Sequence, residues 1–305
     1  MNRSPSPPRR PLAGLLLLHK DVGVSSNQAL QRVRHLYRAA KAGHGGTLDP
    51  FASGLLPILF GDATKFGDRL LAADKRYRVL IRFGQETDSQ DSSGTPSRSA
   101  PLPDWDAVDW SALLARFTGP IRQTPPAYSA LKVAGRRAYE RARAGETVAL
   151  EPRTVTIHEL RRLDHGADHL SLEVHCSKGT YIRTLAEDIG RALNSAAHAE
   201  RLERLAVGPF RTVHLTDAAL RSLSPAARDS LILPLDYCLA GVERFDVPPA
   251  KQRYIRNGND IAVAPAPSPR EVALYADGRF FGLGWWEGAR LYPRKLCALP
   301  TGESP

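Results

Sequence analysis

The chain is 305 residues long, enough for one large domain with a small one beside it. Charged residues account for 24% and hydrophobic residues for 42%, which excludes a disordered or membrane-embedded chain and leaves a folded, water-exposed protein. The net charge of +10 suits a polyanion such as nucleic acid, although solvated arginines alone would give the same figure.

Residues 1–11 are rich in Pro, Ser and Arg and read as a disordered extension. The apolar run behind them is short, ends at His19 and Lys20, and has no small-residue cleavage site, so a secretion signal is not expected. No run is long enough to span a membrane, and a cytoplasmic location is expected. Residues 15–18 read as a buried strand. A helix follows, capped by Ser25 or Ser26, with Leu30, Val33 and Leu36 or Tyr37 as its apolar stripe.

Residues 43–65 read GHGGTLDPFASGLLPILFGDATK. Gly45 and Gly46 free the backbone ahead of Asp49, and Pro50 drives Asp49 out of the helical region. Residues 55–60 are almost wholly apolar and give the turn a buried, rigid support. A reacting carboxylate belongs on such a support. An Asp before Pro also serves as a plain turn residue or as the cap of a following helix.

Residues 76–83 (RYRVLIRF) alternate cleanly, with Tyr77, Val79, Ile81 and Phe83 on the inward face and Arg76, Arg78 and Arg82 on the other. Residues 86–105 are polar and turn-rich and read as an exposed loop, and 110–117 as a short helix. Residues 123–153 carry Lys132, Arg136, Arg137, Arg141 and Arg143 with Tyr128 and Tyr139 interleaved. This is a basic, helix-like segment whose plainest reading is a solvated face.

Strands are expected over 155–160 and 170–176. Lys178-Gly179-Thr180 then turns the chain into a helix with the stripe Ile182, Leu185, Ile189 and Leu193, placing Tyr181 and Arg183 on its first turn. An Arg there is disfavoured by the helix dipole, and a carboxylate partner would explain it. Residues 198–210 read as a helix ending at Gly208-Pro209. A domain boundary is expected within 236–247, after which short alternating strands with Asp-Gly and Glu-Gly turns read as a small β-barrel.

Cys176, Cys238 and Cys297 are far apart, and the histidines at 158, 165, 169 and 175 lack a matching ligand pattern, so neither a disulfide framework nor a zinc site is expected. The sequence carries no dinucleotide fingerprint and no phosphate-binding loop.

Three segments resemble, in order, the motifs of the TruB family of tRNA pseudouridine synthases. GHGGTLDPFASGLLP is similar to the signature whose Asp is catalytic, Asp49 here. DKRYRV resembles the second motif, whose Tyr (Tyr77) sits against the target base. KGTYIRTLAEDIG resembles the third, whose Arg (Arg183) pairs with the catalytic Asp and whose Tyr (Tyr181) lines the base pocket. The opening strand ends in Lys20, as in the family. The resemblance further implies that Leu202 touches the base, that His44 and Lys20 contact the substrate beside it, and that residues 123–153 clamp RNA through phosphate contacts from Arg136, Arg137 and Arg141. Glu203 departs from the basic residue frequent at its position.

What the resemblance implies for the whole chain is an α+β pseudouridine synthase fold. It would have a mixed, mostly antiparallel central sheet flanked by helices over residues 12–242, and a PUA-like RNA-binding barrel over 243–305. The implied reaction is isomerisation of uridine to pseudouridine, at position 55 of the tRNA TΨC stem-loop, by a monomer needing neither cofactor nor guide RNA. The base would be flipped into an apolar pocket. Asp49 would attack or deprotonate the nucleoside, kept ionised by Arg183 against the effect of burial. Tyr77 would pack on the uracil and is a candidate base for the carbon 5 proton. A non-catalytic RNA-binding or tRNA-folding protein on the same scaffold is the rival reading.

Overall fold

Along Ser53–Phe60 every residue after the first is buried, because this strand has cover on both faces. Leu55 and Leu59 pack into one cluster, while Leu56, Ile58 and Phe60 pack into another. Burial of each such side chain contributes about 1.5–3 kcal/mol relative to exposure. The computed structural model in which this is seen describes residues 8–126, the backbone of 132–133 and 136–137, and residues 150–298.

In chain order the strands begin with β1 (Gly14–Lys20), β2 (Ala42–His44), β3 (Ser53–Phe60), β4 (Lys75–Phe83), β5 (Gln85–Thr87) and β6 (Pro96–Ser99). They continue with β7 (Gly119–Gln123), β8 (Lys132–Val133), β9 (Arg136–Arg137), β10 (Arg153–His165), β11 (His169–Cys176), β12 (Ala197–Val207) and β13 (Phe210–Arg211). The last five are β14 (Glu243–Asp246), β15 (Ile261–Ala262), β16 (Arg270–Ala276), β17 (Arg279–Glu287) and β18 (Arg290–Leu296). The helices that matter to the site are α1 (Ser26–Leu36), α2 (Gly67–Ala72), α3 (Trp110–Arg116) and α4 (Ile182–Ala192).

The central sheet has nine strands, in the order β1-β3-β12-β4-β11-β10-β7 with β2 on β3 and β13 on β12. Only the β12–β3 contact is parallel, so the sheet is mixed and mostly antiparallel. Helix α4 covers one half of it through Ile182, Leu185 and Ile189, packed with Val79, Ile81, Leu172 and Val174. Helix α1 covers the other half through Leu30 and Val33, with Tyr37 just beyond its end. Ser25 caps α1, its hydroxyl accepting from the Gln28 amide while the Gln28 side chain accepts from the Ser25 amide.

The second sheet has five strands in the order β14-β16-β17-β18-β15 and curls as a half-barrel. It docks on the 61–72 segment beside β3, where Ala273 and Leu283 join the cluster of Leu59, Phe66 and Leu70. Lys295 reaches the Asp68 carboxylate at 2.8 Å across the same junction.

Four sequence expectations change. Residues 198–210 are not a helix: Ala197–Val207 is β12, in the middle of the sheet. The Leu202–Leu205 spacing mimics a helical stripe, because a buried Arg204 occupies the place where strand alternation calls for an apolar residue. Residues 86–105 are exposed only in part: Gln85–Thr87 and Pro96–Ser99 pair as the β5–β6 hairpin, whose second strand is exposed as expected, while Glu86, Thr87, Ser89 and Asp91 are buried. Residues 8–11 are tied down rather than loose, with Arg10 bound through both guanidinium nitrogens to Asp229 at 2.6 and 3.0 Å. Finally, Lys132–Val133 pairs with Arg136–Arg137 as an antiparallel hairpin rather than a helix, while Arg141 and Arg143 lie outside the described residues.

Candidate active site

Four strands present one row of residues across the sheet: Lys20 of β1 pairs with Gly54 of β3, Gly54 with Arg204 of β12, and Arg204 with Tyr77 of β4. Paired residues share a face, so the charged groups and the phenol of this row converge. Gly54 makes the row possible. Its φ is +101°, and a Cβ there would lie 2.4 Å from the Arg204 carbonyl oxygen and 2.6 Å from its nitrogen. No L side chain fits so close an approach.

The turn carrying Asp49 is anchored at several points. Ser26, at the start of α1, exchanges hydrogen bonds with Leu48, accepting from its amide at 2.7 Å and donating to its carbonyl at 2.9 Å. Arg204 donates to the carbonyls of Gly46, Thr47 and Leu55 at 3.1, 3.2 and 2.8 Å. Gly46 (φ +136°) brings the backbone against this guanidinium. The chain beyond Asp49 enters a strand, so Asp49 caps no helix.

Asp49 Oδ2 lies 3.0 Å from Arg183 Nε. Arg183, only 3% exposed, also donates to the Ser89 carbonyl at 2.7 Å and faces Asp91 Oδ2 at 3.3 Å. Asp91 is itself fixed by the Ser89 hydroxyl and by the Ser93 amide and hydroxyl, at 2.8, 3.0 and 2.5 Å. One guanidinium thus stands between two carboxylates, and Asp49 is the one that opens to the cleft, with 37% of its side chain exposed. Burial of its other sides pushes the Asp49 carboxyl above its ordinary value. Arg183 and, more weakly, Lys20 oppose that push, while the Asp91 charge adds to it.

The cleft over Asp49 has a volume of about 340 Å³, within the range of ligand sites. Tyr77, Leu202, Tyr181 and Ile182 line it. Tyr181 occupies the cap position of α4, and Gln123 clamps its backbone, accepting from its amide at 3.1 Å and donating to its carbonyl at 3.2 Å. The Arg153 guanidinium covers the Tyr181 ring at 4.9 Å. Burial pushes the Tyr77 phenol up to about 12, and the nearby Arg204 charge only partly opposes that push. Asp49 is thus the one carboxylate in the lining, set among the aromatic and apolar Tyr77, Tyr181, Ile182 and Leu202 and the basic Lys75, Arg153, Arg183 and Arg204.

Asp49, Tyr77, Tyr181, Arg183 and Leu202 thus meet in a single cleft. Lys20 lies outside the cleft lining: it is 1% exposed, its ammonium donates to the Asp21 and Val24 carbonyls at 2.9 and 2.7 Å, and burial lowers its pKa to about 8 against the pull of the Asp49 charge. His44 sits half-buried on β2, outside the cleft lining, with an Nδ1 that has no partner among the described residues. Burial, and then the Arg204 charge, lower its pKa. The side chains of Arg136, Arg137 and Arg141 fall outside the described residues.

Sequence reading missed Asp91, Gln123 and Arg204. Asp91 sat in a polar stretch read as a loop, and Gln123 was the first residue of a segment read only for its basic side chains. Arg204 was placed on a helix that does not exist. An Arg two residues after Leu202 would have carried a signal only once that segment was read as a strand.

Known proteins resemble the chain over nearly its full length. Profiles described as "TruB family pseudouridylate synthase (N terminal domain)", "tRNA pseudouridylate synthase B C-terminal domain" and "Pseudouridine synthase II TruB, C-terminal" match residues 34–182, 183–240 and 245–297. A protein named tRNA pseudouridine synthase B from Azoarcus sp. strain BH72 is 45% identical over 97% of this chain and 98% of its own. One of the same name from Chromohalobacter salexigens is 48% identical over 94% of each chain. Among solved structures, one described as a Cbf5-Nop10-Gar1 complex aligns with a TM-score of 0.69 at 23% identity, over 93% of this chain and 84% of its own. One described as an H/ACA RNP bound to a substrate RNA containing 2'-deoxyuridine aligns at 0.70 and 21%, over 96% and 87%. Both show a shared fold.

Proposed function

Since the chain belongs to the TruB family of pseudouridine synthases and isomerises uridine to pseudouridine in tRNA, we propose that its target is uridine 55 of the TΨC stem-loop and that Asp49 carries the chemistry. The observation that carries the reading is the Asp49–Arg183 pair, 3.0 Å apart at the base of a cleft walled by Tyr77, Tyr181 and Leu202.

The substrate base leaves its stack and enters this cleft, where aromatic and apolar walls receive it. Arg183 holds Asp49 ionised and in one orientation, and Asp91 holds Arg183 in place in turn. The ionised Asp49 attacks the nucleoside or deprotonates it, and the carbon–nitrogen bond between base and sugar breaks. The uracil turns and rejoins the sugar through carbon 5, and Tyr77 serves as the base for the carbon 5 proton. Atoms are conserved and no electrons are transferred, so the reaction runs without a cofactor. The basic segment around Lys132, Arg136 and Arg137 grips phosphates, which positions the RNA without reading its sequence. Residues 12–242 form the catalytic domain, and residues 243–305 add a PUA-like RNA-binding surface, a division supported by the change of sheet at Glu243. The protein acts as a monomer in the cytoplasm, without a guide RNA.

The test is tritium release from tRNA labelled at carbon 5 of its uridines, with wild type and Asp49→Asn side by side. One equivalent released by the wild type alone, and lost when uridine 55 is replaced, is the expected result. Tight tRNA binding without release would leave an RNA-binding protein on this scaffold and overturn the assignment.

A further inference from the structure

A second cavity, at the far end of α1, has no part in the cleft. Its volume is about 800 Å³, and Arg9, Arg34, His35, Arg38 and Arg228 line it; the lining holds no acidic residue and none that it shares with the cleft. Three separate stretches of the chain build its walls, and hydrogen bonds tie them together. The Arg10 amide donates to the Arg38 carbonyl at 2.7 Å, and the Ala40 amide to the Arg10 carbonyl at 2.9 Å. The Tyr37 hydroxyl donates to the Arg228 carbonyl at 2.8 Å.

The positive charge in this cavity is oriented but not cancelled. Arg34 donates to the Ala39 and Ala40 carbonyls at 3.4 and 2.9 Å, and Arg38 to the Pro8 carbonyl at 2.8 Å. A neutral carbonyl fixes a guanidinium while leaving its charge and its other donors available. None of the four arginines forms an ion pair among the described residues, and Asp229, the acid next to Arg228, is taken up by Arg10. The dipole of α1 favours Arg34 and His35 in its last turn. It does not account for Arg9, Arg38 and Arg228, which lie outside the helix and converge on the same space. Arg38 also adopts a left-handed backbone (φ +54°), rare for a residue with a side chain.

We propose that this cavity is a second phosphate-binding site for tRNA, taking backbone phosphates of a part of the molecule that lies outside the cleft. Several guanidiniums held around one hollow match phosphate oxygens through paired donors. The substrate of this chain is itself a polyanion. Helix α1 spans about 15 Å between Ser26, which is fastened to the Asp49 turn, and Leu36 at the cavity. An RNA with one nucleotide in the cleft can therefore reach both sites. Contacts of this kind position the RNA without reading its sequence. The inference rests on tRNA being the substrate and on nothing in the chemistry at Asp49.

The experiment measures tRNA affinity over a range of salt concentrations for wild type and for the double variant Arg9→Gln, Arg228→Gln. Neither of these side chains makes a hydrogen bond among the described residues, so the fold should persist. The expected result is binding about 10-fold weaker near physiological salt, with a plot of log affinity against log salt less steep by about 1–2. The loss should fall on affinity and not on the single-turnover rate at saturating tRNA. Unchanged affinity and slope would make the cavity a solvated face and overturn the proposal. A slower saturated rate with an unchanged slope would mean that the residues act through α1 on the Asp49 turn, and would also overturn it. Melting with inorganic phosphate is the second arm. A rise in melting temperature that the double variant loses, with tRNA affinity unchanged, would assign the cavity to a free anion and overturn the RNA assignment. If the double variant does not fold, Arg9→Gln alone carries the same test, with a slope change of about 1. A wild type that binds no tRNA would overturn the functional reading itself, a result distinct from the others.

Discussion

The central cleft and the C-terminal half-barrel handle charge in opposite ways. In the cleft, Arg183 and Asp91 meet with side chains 4% and 5% exposed, and Arg204 is buried completely. In the half-barrel, Arg244 pairs with Asp246, Arg270 with Glu243 and Arg290 with Asp260, each with at least one partner about half exposed or more. Exposed pairs of that kind contribute roughly 0–1 kcal/mol, whereas breaking a buried pair costs about 3–5 kcal/mol because the remaining charge is stranded. The half-barrel therefore owes its stability to Val272, Leu274, Phe281 and Leu291, and its surface charges are free to meet a partner. The cleft uses its charges to fix geometry, at a cost in stability.

The largest effect that would break this contrast is on Asp49. Asp49→Asn is expected to lower single-turnover conversion by about 10⁴-fold or more, as removal of a reacting group does, without loss of fold. The sign of its stability effect follows from the raised carboxyl. The folded protein holds that proton more tightly than the unfolded chain, whose value is 3.8. Stability is therefore lost as pH rises from that value through the higher folded one. Asp49→Asn should melt no lower than wild type at pH 7, and its advantage should shrink toward pH 4. A marked destabilisation at pH 7 would show that the Asp49–Arg183 pair supports the fold.

Asp91 gives the next test. Its removal strands Arg183 and frees the side chain that holds Asp49, so Asp91→Asn should slow conversion by about 10²-fold or more while tRNA affinity stays within a few fold. Gly54→Ala concerns geometry alone. An added Cβ meets the Arg204 backbone at 2.4 Å in a left-handed conformation, and should cost about 2–4 kcal/mol. Thermal melting would check this, with a fall of roughly 5–10 °C expected.

How much of this was legible beforehand depended on whether the local pattern and the burial agreed. Strand β4 was readable because Val79, Ile81 and Phe83 alternate as its buried positions while Arg76, Arg78 and Arg82 stay out of the core. The Asp49 turn was readable because two glycines and a proline narrow its backbone choices, and Arg183 because the helix dipole disfavours it where it stands. Strand β12 was not, since Arg204 is polar and buried while Leu205 is half-exposed, which inverts the alternation. The same inversion hid Asp91: a run of Ser, Asp and Gly has the composition of an exposed loop, and only the fold brings it under Arg183. In both places the sequence breaks the rule that charges stay outside, and in both the reason is the site.

The smallest effect comes from the half-barrel. Arg290 Nη1 lies 2.8 Å from Asp260 Oδ2, at a distance comparable to the pairs in the cleft, but the two side chains are 57% and 38% exposed. Water screens the pair, and ordering the Arg side chain offsets most of what attraction remains. A double-mutant cycle of Arg290→Ala and Asp260→Ala is expected to give a coupling of about 0.5 kcal/mol or less, vanishing in high salt. The corresponding cycle on Arg183 and Asp91 should give several times that value and respond weakly to salt, because no solvent reaches between them. If the two cycles returned equal couplings, distance rather than burial would govern these pairs, and the division of labour between cleft and half-barrel would fall with it.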